Sequence, residues 1–277
     1  MDLYLDTSYK ISRLITKQYS TSFSLGIMAF AKKYREPVYS IYGFVRLADE
    51  IVDTFHGFDK ASLLKGLREE TYRAINMGIS VNPVIHSFQM TVKIYNIDIS
   101  YIDAFLNSMA MDLNNTSYER NVYDKYIYGS AQAVGLMCLH IFCDGDKSMF
   151  EKLKEPARML GAAFQKVNFL RDIKSDIEER GRIYLPDIHQ FDVIDINSKK
   201  FLESEVEKEF EAALQGIRKL PKGVKLGVYS AYLYYYYLFR KIKGLDLTEL
   251  LSKRVSIPNI MKLVLLLKAI IIVRILR

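Results

Sequence analysis

Acidic residues at one-turn spacing inside apolar surroundings constrain this chain more than any other feature. The first set is Arg46-Leu-Ala-Asp49-Glu50-Ile-Val-Asp53, and the second is Asn168-Phe-Leu-Arg171-Asp172-Ile-Lys-Ser-Asp176. Residues four apart in a helix stack on one face, one turn above the other. Asp49 and Asp53 therefore share a face, and Asn168, Asp172 and Asp176 form a three-rung ladder. An i,i+4 acid pair alone is more often a solvated helix face. Here the flanks are core-type: Ile41, Phe44, Val45, Leu47, Ile51 and Val52 around the first, Phe164, Val167, Phe169, Leu170 and Ile173 around the second. A carboxylate beside an apolar wall is costly unless paired or metal-bound. The chain is thus expected to turn two acidic helix faces toward a common interior. Hard oxygen ligands at this spacing suit Mg²⁺, with Mn²⁺ as the alternative, and Mg²⁺ shares its shell with substrate phosphates.

The rest of the chain permits that architecture. Its six prolines, at 37, 83, 156, 186, 221 and 258, leave long intervals free of helix breakers. Half of the 277 residues are hydrophobic, enough for a sizeable core. The expected fold is all-α, a single domain over 1–277, with no linker rich in Gly, Pro or Ser. Helices are expected over 7–30 with a break in the Ser/Thr cluster at 20–24, and over 37–55 starting at Pro37, a favourable first-turn residue. Further helices are expected over 60–78, 82–95, 99–111, 121–143, 147–179 (bent near Pro156), 198–217, 222–243 and 246–253, and from 257 onward. A loop is expected over 180–197.

Charge and motifs exclude several function classes. The net charge of +7 is concentrated between Lys241 and Arg277, where eight basic and two acidic residues give +6. That basic end points to phosphates of a substrate or of a membrane surface. No nucleic-acid-binding motif is present, so no nucleic-acid partner is expected. Histidines 56, 86, 140 and 189 show no metal spacing, and no glycine-rich dinucleotide or phosphate loop occurs. Cys138 and Cys143 lie in an apolar stretch and are expected as buried, reduced thiols. The N-terminus shows neither the basic nor the apolar region of a signal peptide, so a cytoplasmic location is expected, with peripheral contact at the inner face of the membrane as the alternative. The last apolar segment is broken by Lys268, too short for a bilayer span. Lys262, Lys268, Arg274 and Arg277 scatter around its axis, so it does not read as a clean amphipathic membrane helix.

Tyr42-Gly-Phe-Val-Arg46-Leu-Ala-Asp49-Glu50-Ile-Val-Asp53 resembles the first aspartate motif of the squalene/phytoene synthase family. Gln165-Lys-Val-Asn168-Phe-Leu-Arg171-Asp172-Ile-Lys-Ser-Asp176, followed by Arg180-Gly-Arg182-Ile-Tyr184-Leu-Pro186, resembles its second. Tyr19-Ser20-Thr-Ser22-Phe23 is similar to the family's N-terminal substrate-contact segment. The resemblance runs from about residue 10 to about residue 265. It implies the isoprenoid synthase fold, a helical bundle around a central apolar cavity. It also implies head-to-head coupling of two prenyl diphosphates through a cyclopropylcarbinyl diphosphate.

On that resemblance Asp49, Asp53, Asn168, Asp172 and Asp176 are the implied metal ligands, and Arg46, Arg171, Arg254 and Lys262 the implied phosphate contacts. Ser20 and Ser22 line the diphosphate site or, on a purely local reading, cap a helix. Thr21 stands where relatives often carry a basic residue, and Glu50 where many carry Asp. Tyr42, Tyr128, Tyr184 and Tyr234 match positions lining the cavity, where aromatic faces favour cations. The run Tyr234–Tyr237 cannot all face one cavity. Tyr128-Gly-Ser-Ala-Gln132-Ala133 departs from the usual Gly-Thr. Gln165 is a polar wall group or a partner of the ligands. Ile27 and Tyr39 fall where C15-using members carry bulky aromatics. The smaller Ile27 implies room for two C20 geranylgeranyl diphosphates, rather than the farnesyl diphosphate of dehydrosqualene- and squalene-forming members. Reducing members are longer and anchored, so no nicotinamide cofactor is expected. The intact motifs argue against a catalytically dead assembly-factor relative.

Overall fold

The computed structural model describes residues 2–114, 116–188, 196–252 and 254–275. Among them every regular element is helical, as the proline spacing implied. Histidine 189, most of the expected 180–197 loop's second half, Lys253 and Arg277 lie outside the described residues.

The N-terminal helices form one wall. α1 (Asp2–Tyr19) stops at Ser20, which is extended and accepts a hydrogen bond from the Phe23 N–H at 3.2 Å, capping α2 (Thr21–Met28). The expected break in the Ser/Thr cluster is therefore a helix cap. α3 (Lys32–Asp53) starts five residues before Pro37, and the proline sits inside the helix rather than in its first turn. Tertiary contacts override the local signal. The Ala31 N–H donates to the Gly223 carbonyl at 2.8 Å, and the Tyr34 ring packs edge-on against Phe142 with centroids 6.4 Å apart. α4 (Lys60–Met77) ends where expected, at Gly78, whose φ of 75° needs no Cβ. α5 (Pro83–Tyr95) begins at a proline preceded by the cap Asn82. α6 (Ile99–Asn114) runs three residues beyond its expected end.

The expected helix 121–143 is not continuous. It consists of α7 (Arg120–Ile127), a π turn over Tyr128–Gln132, and α8 (Ala133–Cys143). Close backbone contacts flank the turn. A Cβ on Gly129 would lie 2.2 Å from the Ala104 carbonyl oxygen, and one on Gly161 would lie 2.6 Å from that of Ala131. Taken whole, Arg120–Cys143 is apolar enough by length and composition to cross a bilayer, but half of that window is buried inside the protein and part of the remainder lines the central cavity.

α9 (Lys147–Glu178) is the central strut, with Pro156 inside it. It packs against α10 (Ile196–Ile217), α8, the π turn, α11 (Lys222–Lys243) and α12 (Leu247–Ser252), and α13 (Asn259–Ile275) lies on α11. One apolar cluster runs from Ile27 to Ala269. At its centre Phe44 stacks on Phe88, centroids 3.9 Å apart, and each such buried ring contributes about 1.5–3 kcal/mol. Cys138 and Cys143 are free thiols.

Candidate active site

A cavity of about 730 Å³ opens between α2, α3, α8, α9 and α11, with the π turn on its wall. Its polar end carries both acidic stripes, and its inner end is lined by Phe30, Phe142, Leu153, Ile217 and Leu220. The stripes face each other. Arg180 reaches both, with Nη1 2.7 Å from an Asp176 oxygen and Nε 3.7 Å from one of Asp53. Arg182 donates from Nη1 to Asp53 at 2.8 Å and from Nη2 to the Val52 carbonyl at 3.3 Å.

Each carboxylate sits in a different field. Burial would raise the Asp172 carboxyl, but the guanidiniums of Arg171 and Arg254 outweigh it and hold the group below the ordinary carboxylate range. Arg171 Nε lies 2.9 Å and Arg254 Nε 2.6 Å from Asp172 Oδ1. Among the described residues Arg46, at 4.0 Å, is the one cation paired with Asp49. Its burial and the nearby Asp53 charge push it up to about 7. Its side chain is 31% accessible and lines the cavity. Asp176 is likewise raised to about 7, chiefly by burial, with Asp172 and Asp53 adding to Arg180's incomplete compensation.

This donor set fits Mg²⁺. It is all hard oxygen, and two of its carboxylates lack full charge compensation within the protein. Among the described residues no three His, Cys, Asp or Glu side chains converge to hold an ion unaided. Mg²⁺ is ordinarily held by one or two carboxylates, waters and substrate phosphates rather than by an all-protein cage.

Most of the expected site residues meet here. Ser20, Ser22, Ile27, Tyr42, Arg46, Gln165, Asn168, Arg171, Tyr184, Tyr234, Arg254 and Lys262 all line the cavity with the four aspartates. Asn168 Nδ2 donates to Gln165 Oε1 at 3.4 Å, and the Tyr235 hydroxyl donates to Asn168 Oδ1 at 3.3 Å. Arg46 pairs with Glu50 and lies over the Tyr19 ring, 4.2 Å from its centroid. Glu50 is thereby turned to Arg46 and to Thr54 at 2.6 Å, and it is not among the lining residues. Lys262 lies over Tyr234 at 5.6 Å. Tyr42 is raised to about 12 by burial and keeps its proton at neutral pH. Ser20 both lines the cavity and caps α2, so its two readings coexist.

Two expected positions do not line the cavity. Tyr128 opens the π turn, and its ring faces Arg158 at 5.7 Å, while Ser130 and Ala131 of the same turn take the cavity side. Tyr39 is buried in the core beside Arg13, and its hydroxyl lacks a partner.

Several site residues escaped sequence reasoning. Tyr235 stacks on Phe164 at 4.0 Å and lines the cavity beside Tyr234, while Tyr236 packs against Phe210 and Tyr237 is exposed. Asp112, one residue past the expected end of α6, accepts the hydroxyls of Tyr118 at 2.6 Å, Tyr126 at 2.8 Å and Tyr184 at 2.8 Å. Tyr184 also receives Arg182 Nη1 at 3.2 Å and stacks on Phe169 at 4.2 Å. One hydrogen-bonded chain thus runs from Asp53 through Arg182 and Tyr184 to Asp112. Asp53, Arg182 and Tyr184 belong to the quoted motifs, but for Asp112 the sequence offers no more than an acid among apolar neighbours, Met109-Ala-Met-Asp112-Leu.

Comparison with known proteins places the chain in a family. The family model described as squalene/phytoene synthase matches residues 16–260. A phytoene synthase of Arthrospira platensis is 28% identical over 91% of this chain and 89% of its own. A 15-cis-phytoene synthase of Synechocystis sp. is 27% identical over 94% of this chain and 83% of its own. Among solved structures, a dehydrosqualene synthase in complex with ligand has a TM-score of 0.82 at 20% identity, covering 98% of both chains. A squalene synthase HpnC from Alicyclobacillus acidocaldarius has a TM-score of 0.75 at 21% identity, covering 87% of this chain and 95% of that one. Those two likenesses assign the bundle to the isoprenoid synthase fold. With its two aspartate ladders opposed across one cavity and 16–260 matched by a single family model, the chain belongs to the squalene/phytoene synthase family.

Proposed function

We propose that the chain is a 15-cis-phytoene synthase, joining two geranylgeranyl diphosphates head to head without a nicotinamide cofactor. The observation that carries this reading is the pair of opposed acidic ladders, bridged by Arg180, at the polar end of an apolar cavity walled by aromatic rings. The relatives named phytoene synthase, aligned over nine-tenths of the chain, support the C20 substrate.

The residues divide the work. Asp49, Asp53, Asn168, Asp172 and Asp176 would hold Mg²⁺ (or Mn²⁺), which supplies Lewis-acid stabilisation of departing diphosphate. Arg46, Arg171, Arg254 and Lys262 fork or point toward phosphate oxygens and fix the head groups. Ser20 and Ser22 add hydroxyl donors. Tyr42, Tyr234, Tyr235 and Phe164 present ring faces to the positive carbon, and the apolar wall excludes the water that would quench it. Ile27 leaves space for the longer tail.

The test is incubation of purified protein with Mg²⁺ and labelled C15 or C20 diphosphate, without NADPH, and product identification by chromatography and mass. A C40 hydrocarbon from the C20 substrate is expected. Efficient product from the C15 substrate alone would replace this reading with dehydrosqualene or squalene synthesis, and no product from either would refute it.

A further inference from the structure

α13 is apolar on both sides. Its inner side buries Leu265 and Ala269, while Ile260, Leu263, Val264, Leu267, Ile271 and Ile275 are each at least half exposed. At 100° per residue these six fall within an arc of roughly 120°, so they form one stripe along the helix rather than scattered surface residues. Exposed Arg274 lies within the stripe and exposed Lys268 at its edge. No acidic residue follows Glu249 in the sequence. This accounts for the scatter of basic residues that argued against an amphipathic helix: Lys262 turns inward to the cavity, Lys268 stands at the edge of the outer stripe, and Arg274, inside it in the last turn, is long enough to carry its guanidinium out to the head groups.

We propose that the outer face of α13 docks on an anionic lipid surface, with the six aliphatic side chains in the acyl boundary and Lys268 and Arg274 among the head groups. A helix with this layout lies in the plane of the interface, and each nearby cation adds attraction to an anionic leaflet. A second copy of the chain is the poorer occupant. A two-fold contact through the stripe would bring the Lys268 and Arg274 of both copies together, and α13 has no acid to receive them. The inner side of the same helix touches the active site, since Lys262 lines the cavity and Leu266 a small pocket beside Phe23 and Tyr234. The choice of lipid draws further support from the proposed reaction, whose hydrocarbon product dissolves in lipid and not in water.

The chain has no tryptophan, so Leu267→Trp gives a single reporter on the stripe. With the full chain and no substrate, vesicles of phosphatidylcholine containing phosphatidylglycerol are expected to shift its emission to the blue and to co-float with the protein. Pure phosphatidylcholine is expected to do so more weakly, and added salt to weaken the anionic case. Leu267→Glu/Ile271→Glu is expected to reduce flotation at least roughly tenfold, with circular dichroism and light-scattering mass unchanged. Absence of vesicle binding by the unsubstituted protein overturns the proposal, as does equal binding by the Glu variant. A dimer that this variant converts to monomer overturns it in favour of the second copy. Turnover of prenyl diphosphates in detergent is read separately, so a failed reaction and a failed docking surface give different results.

Discussion

Replacing Asp112 tests whether a cavity residue outside the two ladders organises them. Its carboxylate accepts three phenol hydroxyls within 2.8 Å in a buried setting. Hydrogen bonds to a charged acceptor contribute about 1.5–3 kcal/mol each, so the gross stabilisation is roughly 4–9 kcal/mol. Two effects offset it. Burial already disfavours the charged carboxylate and raises Asp112 above its ordinary value. Tyr184 also keeps Arg182 as a donor, and Tyr126 and Tyr184 are close enough to pair with each other. Asp112→Leu, similar in branching but larger, is therefore expected to cost about 3 kcal/mol, and the isosteric Asp112→Asn about 1 kcal/mol because one acceptor oxygen remains. In urea at unchanged m-value, the midpoint should fall in the order wild type, Asn, Leu. Turnover of the Asn variant should drop at least roughly tenfold, because Tyr184, no longer held by a charged acceptor, shifts together with Arg182 and leaves Asp53 less firmly fixed. Some buried charges are replaced by apolar groups with a gain in stability. A Leu variant as stable as wild type, or an Asn variant with full turnover, would refute the network's role.

Asp53→Ala and Asp172→Ala should each reduce turnover by roughly a thousandfold or more, with the far-ultraviolet circular dichroism unchanged. Because burial raises Asp49 and Asp176 to about 7, from 3.8 in a model peptide, the folded state binds extra protons between these values. In EDTA, stability from these groups is then full below pH 4 and lost as pH rises to about 7. Melting curves across that window check the sign, once other carboxylates are accounted for by the Asp49→Asn/Asp176→Asn variant, which should flatten the decline. Gly161→Ala should cost about 1–3 kcal/mol in urea, since its Cβ meets the Ala131 carbonyl oxygen at 2.6 Å and that outweighs the ~1 kcal/mol gain in helix propensity. Ile27→Phe should shift the C20-to-C15 preference toward C15 by roughly tenfold or more in kcat/KM, measured by competition.

The acidic ladders were legible because their signal is local: one turn of helix puts Asn168, Asp172 and Asp176 on one face whatever the rest of the chain does. Arg254 and Lys262, assigned from resemblance, also reach the cavity. What was not legible depends on packing between distant segments. Pro37 marks a helix start by local rules, yet Gly223 and Phe142 draw Lys32–Glu36 into α3. Asp112 gains its meaning from tyrosines 6, 14 and 72 positions away, a distance no periodicity spans. Tyr128 was misplaced because a run of apolar residues does not disclose a π turn, which the abutting backbones at Gly129 and Gly161 accompany.

That turn has a consequence for how such a cavity can change. Tyr126 lines it together with Val134, Gly135, Cys138 and Leu139, whereas Ala133 and Met137 are fully buried away from it. In an uninterrupted α-helix Ala133 and Met137 would share Tyr126's side, being 7 and 11 positions on at 100° each. The inserted residue slides the register of the downstream wall by one. Shortening the segment by a single amino acid would turn Val134, Gly135, Cys138 and Leu139 off the wall together, so a one-codon deletion would reshape the tunnel as much as four simultaneous replacements.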